Sequence, residues 1–103
     1  MINEAAVFRA LADPTRRQIL QYLRGSELAA GEIVARLPIS GPSVSRHLAI
    51  LKSAELIHER RDGNRILYRL DADRLTGTFI NFVSAVCPAQ ISLRRRARRR
   101  AAL

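Results

Sequence analysis

The segment from Ile39 to Lys52 constrains the fold more than any other part of the chain, because it combines a helix start signal with helical periodicity. Ser40 is a favourable N-cap, and Pro42 is tolerated in the first turn because its missing N–H would have no partner there. Neither proline nor glycine interrupts residues 43–56. One apolar stripe at helical spacing comprises Val44, Leu48 and Leu51. The segment therefore predicts a helix that buries one face.

The other side of this predicted helix is short, polar or basic. It carries Ser43, Ser45, Arg46 and Lys52. Hydroxyl and cationic groups of this kind contact phosphates and base edges in nucleic acids. The exposed side of the helix is therefore a candidate DNA-reading surface.

Three shorter helices are predicted before it. Asn3 caps the first, Asp13 caps the second with Pro14 at its first position, and Gly25 follows the second. After a loop from Gly25 to Ala30, a short helix over residues 31–37 ends at Pro38. Only three residues separate this helix from residue 41, which is the spacing of a helix-turn-helix whose second helix enters the major groove.

A β-hairpin follows the helices. Residues 56–60 and 65–70 are strand-like runs, and the turn between them is Arg61-Asp62-Gly63-Asn64. Basic side chains beside the tip are placed to reach phosphate oxygens or the minor groove. This hairpin is predicted to be a wing, and the fold class is mainly α with a small β-hairpin (α+β), a dimeric winged helix-turn-helix with four helices, two strands and a fifth helix.

The fifth helix has a wide apolar stripe before Pro88. So wide a stripe on a small domain predicts pairing with a second copy, alongside the first helix, with packing on its own domain as the alternative. The predicted dimer-interface residues are Val7, Phe8, Leu11, Leu75, Phe79, Phe82, Val83 and Val86.

Three blocks, taken in this order, carry a family resemblance. They are Phe8 to Leu20 with its Asp-Pro-Thr-Arg-Arg core, Ser43 to Leu48, and Arg61 to Arg65. Over about residues 5–88 the chain resembles the ArsR/SmtB family of bacterial winged-helix repressors. The resemblance implies a homodimer that binds double-stranded DNA at a palindromic operator and represses transcription, commonly of its own gene.

The resemblance also places the DNA contacts. Together with Lys52 on the exposed side of the helix, the positions are Ser40, Gly41, Ser43, Ser45, Arg46, His47, Arg60, Arg61, Asn64 and Arg65. Position 41 is often long and polar or basic in similar proteins, and Gly41 lacks such a side chain. Arg46 is the strongest candidate, because a guanidinium can pair bidentately with a guanine edge. Arg16 and Arg17 are assigned a structural or backbone-contact role.

The metal ligands common in this family are absent from the corresponding segments. Residues 31–35 contain no cysteine, and residues 71–86 contain no histidine. Asp71 and Asp73 alone make a poor zinc or nickel site. No metal site and no cofactor are predicted. His58 is expected to be a surface residue, and His47 either touches phosphate or packs beside Leu48.

Length and charge set the remaining limits. The 103 residues are expected to form one domain over 1–88 and an arginine-rich tail over 89–103, either disordered or a short helix. Six arginines between 94 and 100 leave +3 of the net charge of +9 for the first 93 residues, and such a tail suits an anionic partner. Without a leader or membrane-spanning run, a cytoplasmic location and no membrane contact are expected.

Other functions are considered from the same residues. Phosphate loops and nucleophile–base pairs are missing, so the chain is predicted not to be an enzyme. The alternatives are a protein-interaction module and a redox-responsive regulator acting through Cys87, whose other reading is a buried apolar residue. Regulation is left open between the protein's own concentration, a small molecule bound between subunits, and a partner protein for sensing.

Overall fold

The computed structural model describes residues 3–102, apart from the side chains at positions 100 and 102. Met1, Ile2 and Leu103, which fall within the predicted ranges 1–88 and 89–103, lie outside the described residues. In chain order the elements are α1 (Glu4–Leu11), α2 (Pro14–Tyr22), β1 (Leu28–Ala29), α3 (Ala30–Arg36), α4 (Gly41–Ser53), β2 (Ile57–Asp62), β3 (Arg65–Leu70), α5 (Ala72–Val86) and α6 (Pro88–Ala102).

The predicted N-caps are confirmed by their hydrogen bonds. Asn3 Oδ1 accepts from the N–H of Ala6 at 3.1 Å, and Asp13 Oδ1 accepts from the N–H groups of Thr15 and Arg16 at 2.8 and 3.1 Å. Ser40 Oγ accepts from the N–H of Ser43 at 3.3 Å. Each bond satisfies a donor that the first helical turn leaves without a partner.

The core lies where α1, α2, α3 and the inner face of α4 meet the sheet. The predicted stripe of α4 is buried, with Val44 and Leu51 fully covered and Leu48 only 4% exposed. The other buried core residues include Val7, Ile19, Leu23, Ile33, Leu56 and Ile57. This packing fixes which side of α4 faces outward.

The sheet departs from the predicted two-stranded hairpin. It is antiparallel, three-stranded and ordered β1-β3-β2, and β1 pairs Leu28 with Tyr68 and Ala29 with Leu67. The predicted loop over 25–30 is therefore wrong at these two residues. A two-residue strand is too short to show an alternating pattern, and only its pairing with β3 defines it.

The hairpin turn is also tighter than predicted. Arg61 and Asp62 belong to β2, where they pair with Ile66 and Arg65, so the loop consists of Gly63 and Asn64 alone. Gly63 has a φ of 63°, which a residue without a Cβ adopts at little cost. The strand also begins one residue later than predicted, because Leu56 still belongs to the C-terminal cap of α4.

The last two helices pack against each other. Asp71 caps α5 by accepting from the N–H of Arg74 at 2.9 Å, and α5 ends at Val86 before Pro88 begins α6. The arginine-rich segment is thus helical over Pro88–Ala102. No helix in the described range 3–102 has the length and apolar character needed to cross a membrane.

Candidate nucleic-acid interface

The N-terminal half of α4 presents a connected row of polar side chains. Ser40 Oγ donates to Ser43 Oγ at 3.0 Å, and Arg46 Nη2 donates to the same Ser43 oxygen at 3.2 Å. Arg46 lies on the side of the helix opposite Val44 and is exposed. Ser45 is exposed beside it. The helix therefore holds one guanidinium and several hydroxyl groups toward solvent.

Gly41 begins α4 at the edge of this row. A Cβ built on Gly41 would meet no atom within 4 Å, so the space beside the helix start is open. Packing therefore does not require glycine at this position. Gly41 has no side chain to make the contact expected of a longer residue at this position, so neighbouring residues must make any such contact.

His47 turns away from this row toward α2. Its Nδ1 lies 3.4 Å from Arg16 Nη1, and its side chain is half-buried. Of the two interpretations given to His47, a packing histidine describes this position better than a phosphate contact. The structure therefore separates His47 from the outward-facing Arg46, although the two are adjacent in the sequence.

Arg16 has the structural role predicted for it, and it also makes a contact with α4 that the sequence did not indicate. Its Nε donates to the carbonyl of Ala10 at 2.7 Å and its Nη2 to the carbonyl of Arg9 at 3.0 Å, which closes the end of α1. The same guanidinium reaches His47 on α4. Arg16 thereby joins α1, α2 and α4, as the predicted structural role required. Its partner on α4 is 31 positions away, and no local pattern signals such a contact.

Three of the predicted DNA-contacting cations have carboxylate partners. Arg60 binds Glu27 through two hydrogen bonds of 2.8 and 2.9 Å, Arg65 donates to Glu32 at 3.1 Å, and Lys52 pairs with Glu59. The hydrogen bond from Arg60 lowers the pKa of Glu27, and that from Lys52 lowers the pKa of Glu59. These ion pairs join the wing to α3, to α4 and to the residue before β1. All three cations remain more than half exposed.

The two other cations of the predicted site differ from these three. Within the described part of the chain, neither Arg46 nor Arg61 forms an ion pair with a carboxylate. Arg61 and Asn64 are exposed on the wing, one near its tip and the other in its loop. The structure thus brings the predicted residues onto one helix and one hairpin, and among the described residues it leaves Arg46 and Arg61 without a carboxylate at ion-pair distance.

A second surface lies on α1 and α5. The ring of Phe8 meets the rings of Phe79 and Phe82 edge to face, at centroid distances of 5.6 and 5.4 Å. Phe79 and Phe82 are nevertheless 41% and 47% exposed, and Val86 is 63% exposed. We call the exposed residues Phe79, Ile80, Phe82 and Val86, together with Phe8, the aromatic face. Ile80 was not predicted for it.

Not every residue predicted for the dimer interface lies on this surface. Val7 is fully buried in the protomer's own core, so it is not available to a second chain. Helical spacing alone does not tell whether Val7 faces the core or the surface shared with Phe8. The packing of α1 against α2 and α4 turns Val7 toward the core. Leu11 and Leu75 are half-buried and pack against the core, whereas Val83 is half-buried along α5.

The remaining candidate residues, His58 and Cys87, are not part of a binding site among the described residues. His58 Nε2 lies 2.7 Å from Asp71 Oδ2, so this histidine belongs to the cap of α5. Cys87 is half-buried at the end of α5. Across residues 3–102, leaving aside the side chains at positions 100 and 102, no group of three or more His, Cys, Asp or Glu is arranged to hold a metal ion.

The fold and this site together define a class of protein. A short helix, a tight turn and a second helix with an exposed polar face, followed by a basic hairpin, constitute a winged helix-turn-helix of the DNA-binding kind. The family described as "Bacterial regulatory protein, arsR family" matches residues 13–59 of the chain. This match covers α2 to the beginning of the wing.

Comparison with known proteins extends this match. The chain is 44% identical over 81 residues to the transcriptional repressor SdpR of Bacillus subtilis, covering 76% of this chain and 90% of SdpR. It is 48% identical over 64 residues to the regulator Rv2034 of Mycobacterium tuberculosis, covering 62% of this chain and 60% of that protein. A solved ArsR-like regulator from Rhodococcus sp. RHA1 superposes with a TM-score of 0.73 at 30% identity, over 96% and 92% of the two chains.

The chain therefore belongs to the ArsR family. It is a DNA-binding transcriptional regulator with a winged helix-turn-helix fold, as the three sequence blocks predicted. Membership in a family of regulators also agrees with the prediction that the chain is not an enzyme.

Proposed function

We propose that this protein is a homodimeric repressor that binds a palindromic operator, with α4 of each protomer in successive major grooves about 34–36 Å apart. The observation that carries the proposal is the position of Arg46, exposed on the outer side of α4, held by Ser43 and without a carboxylate partner among the described residues. A guanidinium in this position pairs with guanine O6 and N7.

The other predicted contacts divide by function in this proposal. Ser43 and Ser45 contact base edges or phosphates next to Arg46, and the N-terminal turn of α4 with Ser40 and Gly41 faces the backbone. Arg61 and Asn64 on the wing contact flanking phosphates or the minor groove. Lys52, Arg60 and Arg65 contribute less, because each must share its charge with a carboxylate. His47 positions α4 through Arg16.

The homodimer is supported by the aromatic face. Monomeric soluble proteins rarely leave a contiguous cluster of large apolar side chains exposed, and Phe79, Phe82 and Val86 are each more than two-fifths exposed. A two-fold axis beside α1 and α5 would cover the same surface on both protomers. Two linked copies of α4 would then bind the two halves of the proposed palindromic operator.

The proposal extends to location and regulation. A repressor acts where the DNA is, so we place the protein in the cytoplasm. SdpR is named a transcriptional repressor, and control of its own gene is the simplest role for a relative of it. The usual family metal positions lack ligands here, so sensing is assigned to a small molecule, to a partner protein or to the protein's own concentration.

Fluorescence anisotropy tests the proposal directly. The purified protein is titrated into a labelled duplex from its own promoter and into a scrambled duplex of equal length, at two salt concentrations. Specific protein–DNA complexes are typically about a thousandfold or more tighter than nonspecific ones at physiological salt. Selectivity of that order, with one dimer bound per site, is the expected result.

Equal affinity for the two duplexes at both salt concentrations would contradict the proposal and leave charge-driven adhesion. The same titration with Zn²⁺ or Ni²⁺ present tests the assignment of sensing. Unchanged operator affinity is expected, whereas release of DNA by either ion would contradict the assignment.

A further inference from the structure

The helix α6 concentrates positive charge that the winged helix does not use. Its sequence over Pro88–Ala102 contains six arginines and neither Asp nor Glu. One third of the chain's basic residues therefore lies in one helix. A helix so composed needs an explanation beyond solubility, because its like charges repel one another.

The repulsion is built into the spacing. Arg94 and Arg98 are four residues apart, as are Arg95 and Arg99, and like charges at this spacing destabilise a helix. Arg94, Arg95, Arg96, Arg98 and Arg99 are all exposed, and none of them forms an ion pair with the described carboxylates. An anionic partner that neutralises them would stabilise α6.

The placement of α6 leaves it accessible. Its contacts are chiefly with α5, and Ile80 of α5 lines a groove together with Ile91, Arg94 and Arg98 of α6. Its fifteen residues span about 22 Å at 1.5 Å per residue. The protein measures 47 Å along its longest axis against 31 and 27 Å along the others, so it is elongated. The helix thus offers its charge as a separate surface.

The distribution of arginines around α6 distinguishes between two classes of anionic partner, a membrane surface and duplex DNA. At 100° per residue, the six arginines spread over about two thirds of the circumference of α6, and the remaining face carries Leu93, Ala97 and Ala101, of which only Leu93 is large. A helix that lies in a membrane interface needs a face of large apolar or aromatic side chains opposite its charges. Duplex DNA needs none, and arginine binds phosphate bidentately through its planar fork.

We propose that α6 is a second DNA-binding element, which contacts backbone phosphates independently of base sequence and adds to the contacts of α4 and the wing. This inference rests on the proposed function in one respect, since α4 and the wing bring the duplex to the protein. In a homodimer the element occurs twice. Its effect is on affinity and salt dependence for every duplex, without a preference for the operator.

The test uses the full chain with Arg94, Arg95, Arg96, Arg98 and Arg99 all replaced by Gln, and a matched variant with all five replaced by Lys. Gln, Lys and Arg have similar helix propensities, so α6 is retained, and circular dichroism verifies this. Anisotropy titrations on operator and scrambled duplexes across several salt concentrations give the affinity and the slope of log K against log salt.

Each phosphate that the protein neutralises contributes about 0.9 to that slope. If α6 of each protomer neutralises one phosphate, the Gln variant of the dimer should show a slope smaller by about two units. Binding to the scrambled duplex should weaken about tenfold or more at low salt. The ratio of operator to scrambled affinity should stay within about twofold. The Lys variant should keep a slope close to that of the wild type.

Identical slopes for the wild type and the Gln variant would overturn the inference while leaving operator selectivity, and with it the proposed function, intact. A wild type that does not discriminate the duplexes but whose slope falls in the Gln variant would support α6 as a DNA-binding element and refute the proposed function instead. Binding of wild-type protein to phosphatidylglycerol vesicles, with DNA binding unaffected by the Gln substitutions, would overturn the inference in favour of a membrane partner.

Discussion

At the scale of single residues, the charged partner of a cation decides its expected contribution to DNA binding. Arg60 and Arg65 come from the same hairpin as Arg61, yet each is held by a carboxylate from the segment before or within α3. A phosphate must compete with that carboxylate. Neither Arg46 nor Arg61 has a described carboxylate at ion-pair distance, and the two arginines differ in what each is placed to contact.

We expect Arg46→Ala to reduce operator affinity by about 1–3 kcal/mol and to relax selectivity, because the variant cannot pair bidentately with guanine. Arg61→Ala is the matched control, since it removes the same charge from the wing. It should weaken binding to operator and scrambled duplexes alike and lower the salt slope by about one unit. Anisotropy with both duplexes measures both effects. Full selectivity in Arg46→Ala would refute the role of α4 assigned here.

At the scale of elements, the end of α4 is closed by a Schellman motif. The N–H of Leu56 donates to the carbonyl of Leu51 at 3.0 Å, and the N–H of Glu55 donates to that of Lys52 at 2.9 Å. Glu55 sits at the left-handed position of this motif, with a φ of 60°, where glycine is usual. Its carboxylate lies 3.3 Å from Arg74 on α5.

Glu55→Gly should therefore stabilise the protein by up to about 1 kcal/mol, because relief of the left-handed strain exceeds the loss of a partly exposed ion pair. Glu55→Gln keeps the strain and removes the charge, so it should change the free energy of unfolding by less than about 0.5 kcal/mol. Urea denaturation of the three proteins gives the comparison. If Glu55→Gly lowers the free energy of unfolding as much as Glu55→Gln or more, the left-handed strain is not relieved by glycine.

Because Asp71 caps α5, the free energy of unfolding is expected to depend on pH in the acid range. The hydrogen bond from His58, followed by that from the backbone N–H of Arg74, lowers the pKa of Asp71 below its ordinary value of 3.8. A carboxyl whose pKa is lowered by folding stabilises the fold at pH values above its unfolded-state pKa. This contribution is lost as the pH falls through its folded-state pKa.

Below about pH 4, the wild type should accordingly lose stability more steeply than Asp71→Asn, which still caps the helix but does not titrate. Asp73→Asn, in the first turn of the same helix, should follow the wild type. Urea denaturation at pH 6 and at pH 3 measures the difference. Parallel losses in the wild type and Asp71→Asn would show that the lowered pKa of Asp71 does not contribute to the acid dependence of stability.

At the scale of the whole molecule, assembly is expected to depend on the aromatic face. Phe82→Asp places a charge among Phe8 and Phe79 on the surface assigned to the two-fold axis. We expect a monomer by sedimentation, and operator affinity at least about a hundredfold weaker because the two half-sites are no longer bound together. A dimer that persists in Phe82→Asp would contradict the assigned interface.

Ile66→Asp provides the control for this variant. Ile66 is 37% exposed and lies on the wing, away from α1 and α5, so the same charge placed there should leave the oligomeric state unchanged. If both variants dissociated, general destabilisation rather than the aromatic face would explain the effect.

Most of the helices and the hairpin could be predicted from the sequence, because the signals that define them lie within short segments of the chain. The caps at Asn3, Asp13 and Ser40 and the stripe of α4 lie within one helix each, and the turn at Gly63 within one hairpin. Hydrogen bonds and periodicities of this kind involve residues two to seven positions apart. The family blocks then related these elements to a winged helix-turn-helix that binds DNA.

Only the tertiary structure decided which side chains meet across long separations. It paired Arg60 with Glu27 and Arg65 with Glu32, turned His47 toward Arg16, buried Val7 and added the strand Leu28–Ala29 to the edge of β3. Each contact joins residues that are distant in the chain, and its geometry depends on how whole helices pack around the core. Local patterns contain no information about such distances, because packing is determined by all elements at once.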